Sequence, residues 1–357
     1  MTAIANIDSM KPSVIRVGVI GYGYWGPNLV RNFAEVPGCQ VAAVSDMRPD
    51  RRALVQARYP GTKATANCED LLTDPTIDAV AIATPVSTHF PLALEALRAG
   101  KHVWVEKPMT STSDEAVQLI DEADRRDRVL HVDHTFVYTG AVRKIRDLVA
   151  GDVLGRVYYY DSVRVNLGLF QRDVNVIWDL AVHDLSIMDH VLPVQPCAVS
   201  VTGVGHVTGE PEDVAYLTMF FEDSTIAHIH VNWLAPVKVR RTLIGGSSKM
   251  IVYDDLEPSE KIKVYDKGLR LGAPGDTRYQ MLVGYRTGDM WAPHVEIAEA
   301  LQVEATHFLD CINRGRHSLT DGEAGLRVVR ILEAATLSMS GRGQVIELDL
   351  QKVKAIA

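Results

Sequence analysis

From Val14 to about Thr135 short apolar, β-branched runs alternate with stretches whose apolar residues recur at helical spacing. This is the pattern of repeated strand–helix–strand units around a buried parallel sheet. The runs Val14–Ile20, Gln40–Asp46, Asp78–Thr84, His102–Glu106 and Val129–Asp133 read as strands, and Trp25–Ala34, Asp50–Arg58, Phe90–Ala99 and Asp114–Arg126 as helices. Beyond Gly140 the pattern changes. A helix at Ala141–Ala150 is followed by strands at Arg156–Val165, Cys197–Gly205, Val214–Phe221, Ser224–Asn232, Arg240–Gly245, Met250–Asp254 and Lys261–Tyr265. One helix, Trp178–Leu192, interrupts them, and such a succession implies a large, mostly antiparallel sheet. Helices at Val295–Asn313 and Gly322–Ser340 close the chain, and Gly268–Pro293, rich in glycine and proline, reads as a mobile loop.

The expected class is α/β plus α+β. A nucleotide-binding domain over 13–135 precedes an α+β substrate-binding and oligomerisation domain over 136–345, with the C-terminal helix available to pack back on the first. A length of 357 residues suits two cores better than one, and 47% hydrophobic with 23% charged residues is ordinary globular composition. The formal charge of -8 argues against nucleic acid as a partner. Cys39, Cys68, Cys197 and Cys311 lie far apart without a CxxC, which fits a reducing, cytoplasmic setting and no disulfide framework. Met1–Lys11 carries no apolar run of the signal-peptide kind, and the longest apolar stretches fall far short of the roughly 20 residues of a membrane helix. The second sheet has a face that the expected helices cover only partly, which predicts a homodimer or homotetramer.

Chemistry enters at the first turn. Gly21-Tyr22-Gly23-Tyr24-Trp25-Gly26 follows an apolar strand, opens a helix, and precedes Asp46 at the end of the next strand by 20 residues. Together these parts make the dinucleotide fingerprint of a Rossmann domain. Gly21 permits the tight turn, Gly23 the approach of the pyrophosphate and Gly26 close helix–strand packing, with Tyr24 and Trp25 counted as cofactor contacts. Asp46 would accept from the ribose hydroxyls and repel a 2′-phosphate, which favours NAD; Arg48 leaves NADP open. Thr84, Pro85 and His89 follow a strand at the carboxyl edge, where ligands bind in such sheets, and are placed at the cofactor.

Glu106-Lys107-Pro108 ends the following strand at the same edge. With the glycine turn, Thr84-Pro85 and the later Asp179-x3-His183, it resembles the Gfo/Idh/MocA family of sugar and cyclitol oxidoreductases over about Arg16 to Ser340. The resemblance implies a cis Lys107-Pro108 bond, Glu106 and Lys107 beside the cofactor, and His183 as acid/base. On chemical grounds Lys107 would favour alkoxide character as a hydride leaves, and the His183 imidazole would exchange the hydroxyl proton. Asp179, four residues before it on one helix face, would orient hydroxyls or tune the transfer. Tyr138, Arg164, Asn166, Asn232 and Lys238 are candidate substrate contacts. The family's paired glycines before Asp-x3-His are replaced here by Asp173-Val174-Asn175-Val176-Ile177-Trp178, which should narrow the pocket.

The expectation is an NAD(P)-dependent dehydrogenase acting on a secondary hydroxyl of a sugar, glycoside or nucleotide-sugar, with C3 as the candidate position. The alternatives are an inositol or cyclitol dehydrogenase and a catalytically silent nicotinamide-binding protein. A metal site among Asp179, His183, Asp184, Asp189 and His190 is the weaker reading, since hydride transfer to nicotinamide needs no metal when a lysine supplies the charge.

Overall fold

The computed structural model describes residues 14–168, 174–207, 211–270 and 284–349. The chain divides into two compact units: one runs to Glu106 and takes in Gln118–Asp133 and Leu301–Asp321, and the other holds Lys107–Val117, His134–Ala300 and the chain from Gly322.

In the first unit the order is β1 (Ile15–Ile20), α1 (Gly26–Glu35), β2 (Cys39–Ser45), α2 (Pro49–Arg58), β3 (Lys63–Thr65), α3 (Glu69–Leu72), β4 (Ala79–Ile82), α4 (His89–Arg98), β5 (His102–Glu106), α5 (Ser113–Arg126, whose first turn belongs to the second unit) and β6 (Leu130–Asp133). All strand pairs are parallel, in the order β3-β2-β1-β4-β5-β6. The order reverses between β1 and β4, so the loops after these two strands flank the switch point where doubly wound sheets bind ligands. β3 and α3 went unread in the pattern, because three or four residues carry too little periodicity to register.

In the second unit α6 (Gly140–Ala150), β7 (Val157–Leu167), a π-helical turn at Ile177–Ala181 and α7 (Val182–Val191) lead into β8 (Ala198–Val204), β9 (Val214–Phe220), β10 (Ile226–Asn232), β11 (Leu234–Gly246), β12 (Met250–Asp254) and β13 (Ile262–Tyr265). The short β14 (Gly268–Arg270), β15 (Gly284–Arg286) and β16 (Met290–Trp291), then α8 (Ala300–Arg314), α9 (Gly322–Ser340) and β17 (Ile346–Glu347), complete the chain. Nine strands form one sheet in the order β16-β13-β12-β11-β7-β10-β9-β8-β17, antiparallel throughout except for β10 beside β7. Alternation along β10 sends Ala227, Ile229 and Val231 into a core shared with α7 and α9, while Ile226, His228 and His230 face the other way. β11 begins six residues earlier than expected: Pro236 lacks a donor, and the ladder to β7 is interrupted between Leu234 and Val239 before resuming.

It is α8, rather than the last helix, that belongs with the first unit. Phe308 packs edge-on to Trp104, with ring centroids 5.6 Å apart, and close to Phe33. His131 stacks on Trp104, with Nε2 3.1 Å from Glu304 Oε1 and Nδ1 2.7 Å from Ser318 Oγ. The expected helix start at Val295 is displaced to Ala300 because the preceding backbone lies against α6: a Cβ on Gly140 would come 2.2 Å from the Glu296 carbonyl oxygen. Of the expected loop 268–293, residues 271–283 lie outside the described residues, as does Asp173.

Candidate functional site

The nucleotide loop is built from backbone. Gly21 has φ +97, and a Cβ there would sit 2.4 Å from the Ala83 carbonyl oxygen at the end of β4, so only glycine fits. At Gly26 a Cβ would meet the Gly21 carbonyl oxygen at 2.1 Å; the loop closes on itself there, rather than the helix closing on the strand as expected. At Gly23 the nearest atom to such a Cβ is Arg48 Nη2, 3.7 Å away, which leaves a cradle for a ligand. No side chain caps α1 and no acid stands in its first turn, so the positive end of the helix dipole is left open to an anion. These features fit a dinucleotide pyrophosphate.

Around this loop, Tyr24 is exposed, whereas Trp25 donates its indole N–H to Asp133 Oδ2 at 3.0 Å, tying the loop to the end of β6. Asp46 is already engaged: Oδ2 accepts from the Tyr22 N–H at 2.8 Å and Oδ1 from the Arg48 N–H at 2.9 Å. Burial pushes its carboxyl up, but these hydrogen bonds and the Arg48 guanidinium outweigh it and hold the group below the usual range. Thr84 Oγ1 accepts from Thr88 Oγ1 at 2.7 Å in the turn after Pro85. His89 corrects an expectation: it is 1% exposed with Nε2 2.9 Å from the Thr84 carbonyl oxygen, so it braces the turn instead of offering a ring to the cofactor. Glu106 ends β5 in register with Asp133.

In the second unit the residues after β5 and those of the π turn come together. The Lys107-Pro108 bond is cis. Lys107 Nζ donates to the Asp179 carbonyl oxygen at 2.8 Å and to Oδ1 at 3.2 Å, and the Trp233 indole N–H donates to Oδ2 at 3.1 Å. Both carboxylate oxygens are thus fixed. The helix expected over Trp178–Leu192 opens with the wider π turn, a feature that recurs at functional sites, and Asn175 Oδ1 caps it by accepting from the N–H groups of Ile177 and Trp178.

His183 stands in the first turn of α7, half-buried, with the Phe136 ring edge-on at 5.0 Å. Burial pushes its imidazole well below 6.5, and Lys107, Arg164, Arg240 and His134 lower it further. The ring is neutral at pH 7 and able to accept a proton. The other acids of this stretch do not converge on it. Asp184 pairs with Arg164, Asp189 takes both arms of Arg327 at 2.8 Å, and among the described residues no three His, Cys, Asp or Glu side chains are grouped to hold a metal ion.

Two substrate expectations are corrected: Tyr138 is buried, and Arg164 is buried in its pair with Asp184. Asn232 is half-buried, and its Oδ1 accepts from the Leu234 N–H at 2.6 Å. Asn166 donates to its neighbour's carbonyl oxygen, and Lys238 is exposed on β11. Sequence reasoning missed Trp233, Phe136 and Arg240; nothing in a strand-end tryptophan or a lone phenylalanine signals a distant partner. His228 and His230 stack against Tyr216 on the outward sheet face, away from His183's side of the strand.

Comparison with known proteins gives the class. Residues 15–134 match the NAD-binding Rossmann-fold model of the Gfo/Idh/MocA oxidoreductase family, and 146–348 match its C-terminal α/β domain. The chain belongs to this family and is an NAD-binding oxidoreductase acting on CH–OH groups. It is 31% identical over 318 residues to the UDP-N-acetylglucosamine 3-dehydrogenase of Acidithiobacillus ferrooxidans, covering 88% of this chain and 94% of that enzyme. A solved structure of that dehydrogenase superposes with a TM-score of 0.78 over 92% of this chain and 99% of that one. The scyllo-inositol 2-dehydrogenase (NAD(+)) of Bacillus subtilis is 23% identical, covering 96% of this chain and 97% of that enzyme. A levoglucosan dehydrogenase solved with NADH and levoglucosan, at 19% identity and a TM-score of 0.80 over 94% of this chain and 99% of that one, shares the fold.

Proposed function

We propose that the protein reversibly oxidises a secondary hydroxyl of a sugar, with a nucleotide-sugar oxidised at C3 as the leading substrate class. The observation that carries this is the grouping of Lys107, Asp179 and a neutral His183 on the second unit. Likeness to a UDP-N-acetylglucosamine 3-dehydrogenase over most of both chains directs the substrate class. When bound, NAD supplies the acceptor for the electron pair and proton of the cleaved C–H bond.

The residues do the rest. His183 takes the hydroxyl proton; with Nδ1 enclosed, Nε2 is the nitrogen assigned to it. Lys107, anchored by two hydrogen bonds to Asp179, retains a third N–H for the developing oxyanion. Asp179 holds Lys107 at that position. In the first unit Gly21, Gly23 and Gly26 admit the pyrophosphate, and Asp46, with Arg48 alongside, takes the adenosine ribose. Tyr24, Trp25, Thr84, Pro85 and Glu106 line the approach to the cofactor.

The test is nicotinamide absorbance with purified protein offered UDP-N-acetylhexosamines, UDP-hexuronates, free hexoses and inositols. Reduction of NAD by a nucleotide-sugar, lost in Lys107→Met and His183→Ala, is expected. Faster turnover of myo- or scyllo-inositol would transfer the reading to a cyclitol dehydrogenase, and NAD binding without turnover of any member would reduce it to a silent binder. We further infer a cytoplasmic homodimer or homotetramer assembled on the outward sheet face, where Tyr216, Phe220 and Ile226 are exposed. Light scattering showing a monomer at micromolar concentration would overturn that assembly.

A further inference from the structure

A proton-transferring histidine is commonly oriented by a hydrogen bond from its second nitrogen to a carboxylate or carbonyl. His183 has none: Nδ1 is buried without a hydrogen-bond partner among the described residues. What touches the imidazole is the edge-on Phe136 ring. That ring is itself held, with the Arg164 guanidinium 4.4 Å and the Arg240 guanidinium 5.4 Å from its centroid.

Arg164 is the fixed point of this stack. It is 3% exposed on β7, and its Nε donates to Asp184 Oδ2 at 2.6 Å while Ser162 Oγ donates to Asp184 Oδ1 at 2.6 Å. Asp184 directly follows His183, so the same arginine pins the helix backbone beside the histidine and the aromatic wall in front of it. Its Nη1 is enclosed without a hydrogen-bond partner among the described residues. A buried pair with a leftover donor is a poor device for stability alone.

We propose that Arg164 is a positioning residue for His183, acting through Asp184 on one side and Phe136 on the other. This rests on the reading of His183 as the proton acceptor. Charge works in the same direction as geometry. The groups facing the imidazole are Lys107 after β5, His134 after β6, Arg164 on β7 and Arg240 on β11, all opposing its protonation, with Asp179 and Asp184 on its own element paired to Lys107 and Arg164. Arg240 in turn leans on Asp255 at 3.3 Å.

The experiment follows the imidazole by NMR in the full-length histidine-labelled chain, with the His183 signal assigned by its loss in His183→Asn. In the wild type it should titrate well below 6.5. In Arg164→Met the midpoint moves up toward 6.5, because a cation is removed and Asp184 is left unpaired, and the acid limb of kcat/KM moves up with it. kcat falls roughly tenfold or more from lost alignment while NAD affinity is unchanged. Arg164→Lys keeps the charge without the fork, so the midpoint stays low while kcat still falls. If Arg164→Met does not fold, Phe136→Leu serves instead and should lower kcat with little change in the midpoint. An unmoved midpoint in folded Arg164→Met, or unchanged kcat in Phe136→Leu, overturns the proposal. Turnover that survives His183→Asn would instead defeat the reading of His183 as acceptor, with the titration intact.

Discussion

Two histidines, one in each unit, are packed against aromatic rings and treated in opposite ways. His131 has both ring nitrogens matched, one to Glu304 and one to Ser318, and its face covered by Trp104. His183 has a bare Nδ1, an aromatic edge in place of a hydrogen bond, and a ring of cations. A fully satisfied polar group rigidifies a core. One that is desolvated, unsatisfied and faced by cations has its pKa displaced from the ordinary value, a condition common where chemistry is done. The contrast therefore supports a structural part for His131 and the proposed proton-transfer part for His183.

The sharpest break of this comparison exchanges the two losses. His183→Ala should lower kcat by about 10²–10⁴-fold with the melting temperature nearly unchanged. His131→Ala should lower stability by about 3 kcal/mol, because the buried Glu304 loses its hydrogen bond to the ring and a cavity opens beside Trp104, while the folded fraction keeps its kcat. Steady-state kinetics beside thermal denaturation decides, and equal damage to stability by both would erase the distinction. Gly26→Ala comes next. The clash with the Gly21 carbonyl should cost about 1–3 kcal/mol and weaken NAD binding, read by calorimetry, leaving His183 untouched.

A pH series sharpens the same contrast. The imidazoles of His183, His102 and His190 are pushed down by burial, the last two to about 4. The unfolded chain then binds more protons than the native one between about 4 and the ordinary 6.5, so stability is fully present above that window and is lost as pH falls through it. Urea midpoints at pH 7.5, 6 and 5 should decline in that order; a flat series contradicts the buried, neutral state of these rings. The smallest effect belongs to Trp233→Phe, which removes one hydrogen bond from Asp179 at about 1 kcal/mol. It should reduce kcat/KM roughly fivefold and leave NAD affinity unchanged.

The two regions also differ in how readily the chain discloses them. The glycine turn is visible because its demands fall on backbone: Gly21 needs a positive φ and Gly26 tolerates no Cβ, so the residue type itself records the geometry. The strand His102–Glu106 and the helix Gly322–Ser340 were legible to the residue, the first as a short continuous apolar run with clean bounds and the second as a long periodic stretch. The proposed catalytic cluster was half legible. Lys107, Asp179 and His183 stand in recognisable local motifs, but their neighbours come from other elements of the chain, as Trp233, 54 residues on, does for Asp179. Arg164 shows the limit: an arginine in a strand reads equally as a ligand contact or a buried partner, and only the position of Asp184 chose between them.

The placement of α8 bears on how the protein comes into being at the ribosome. The first unit's sheet is encoded before residue 134, yet the helix that covers Trp104 and Phe33, and the Glu304 and Ser318 that satisfy His131, are translated some 170 residues later. During synthesis the nucleotide-binding half must wait, with an apolar surface uncovered, until the second unit has emerged. A gene fragment ending after β6 would fix that waiting state permanently, so the first unit cannot be excised as a module simply by cutting where its sheet ends.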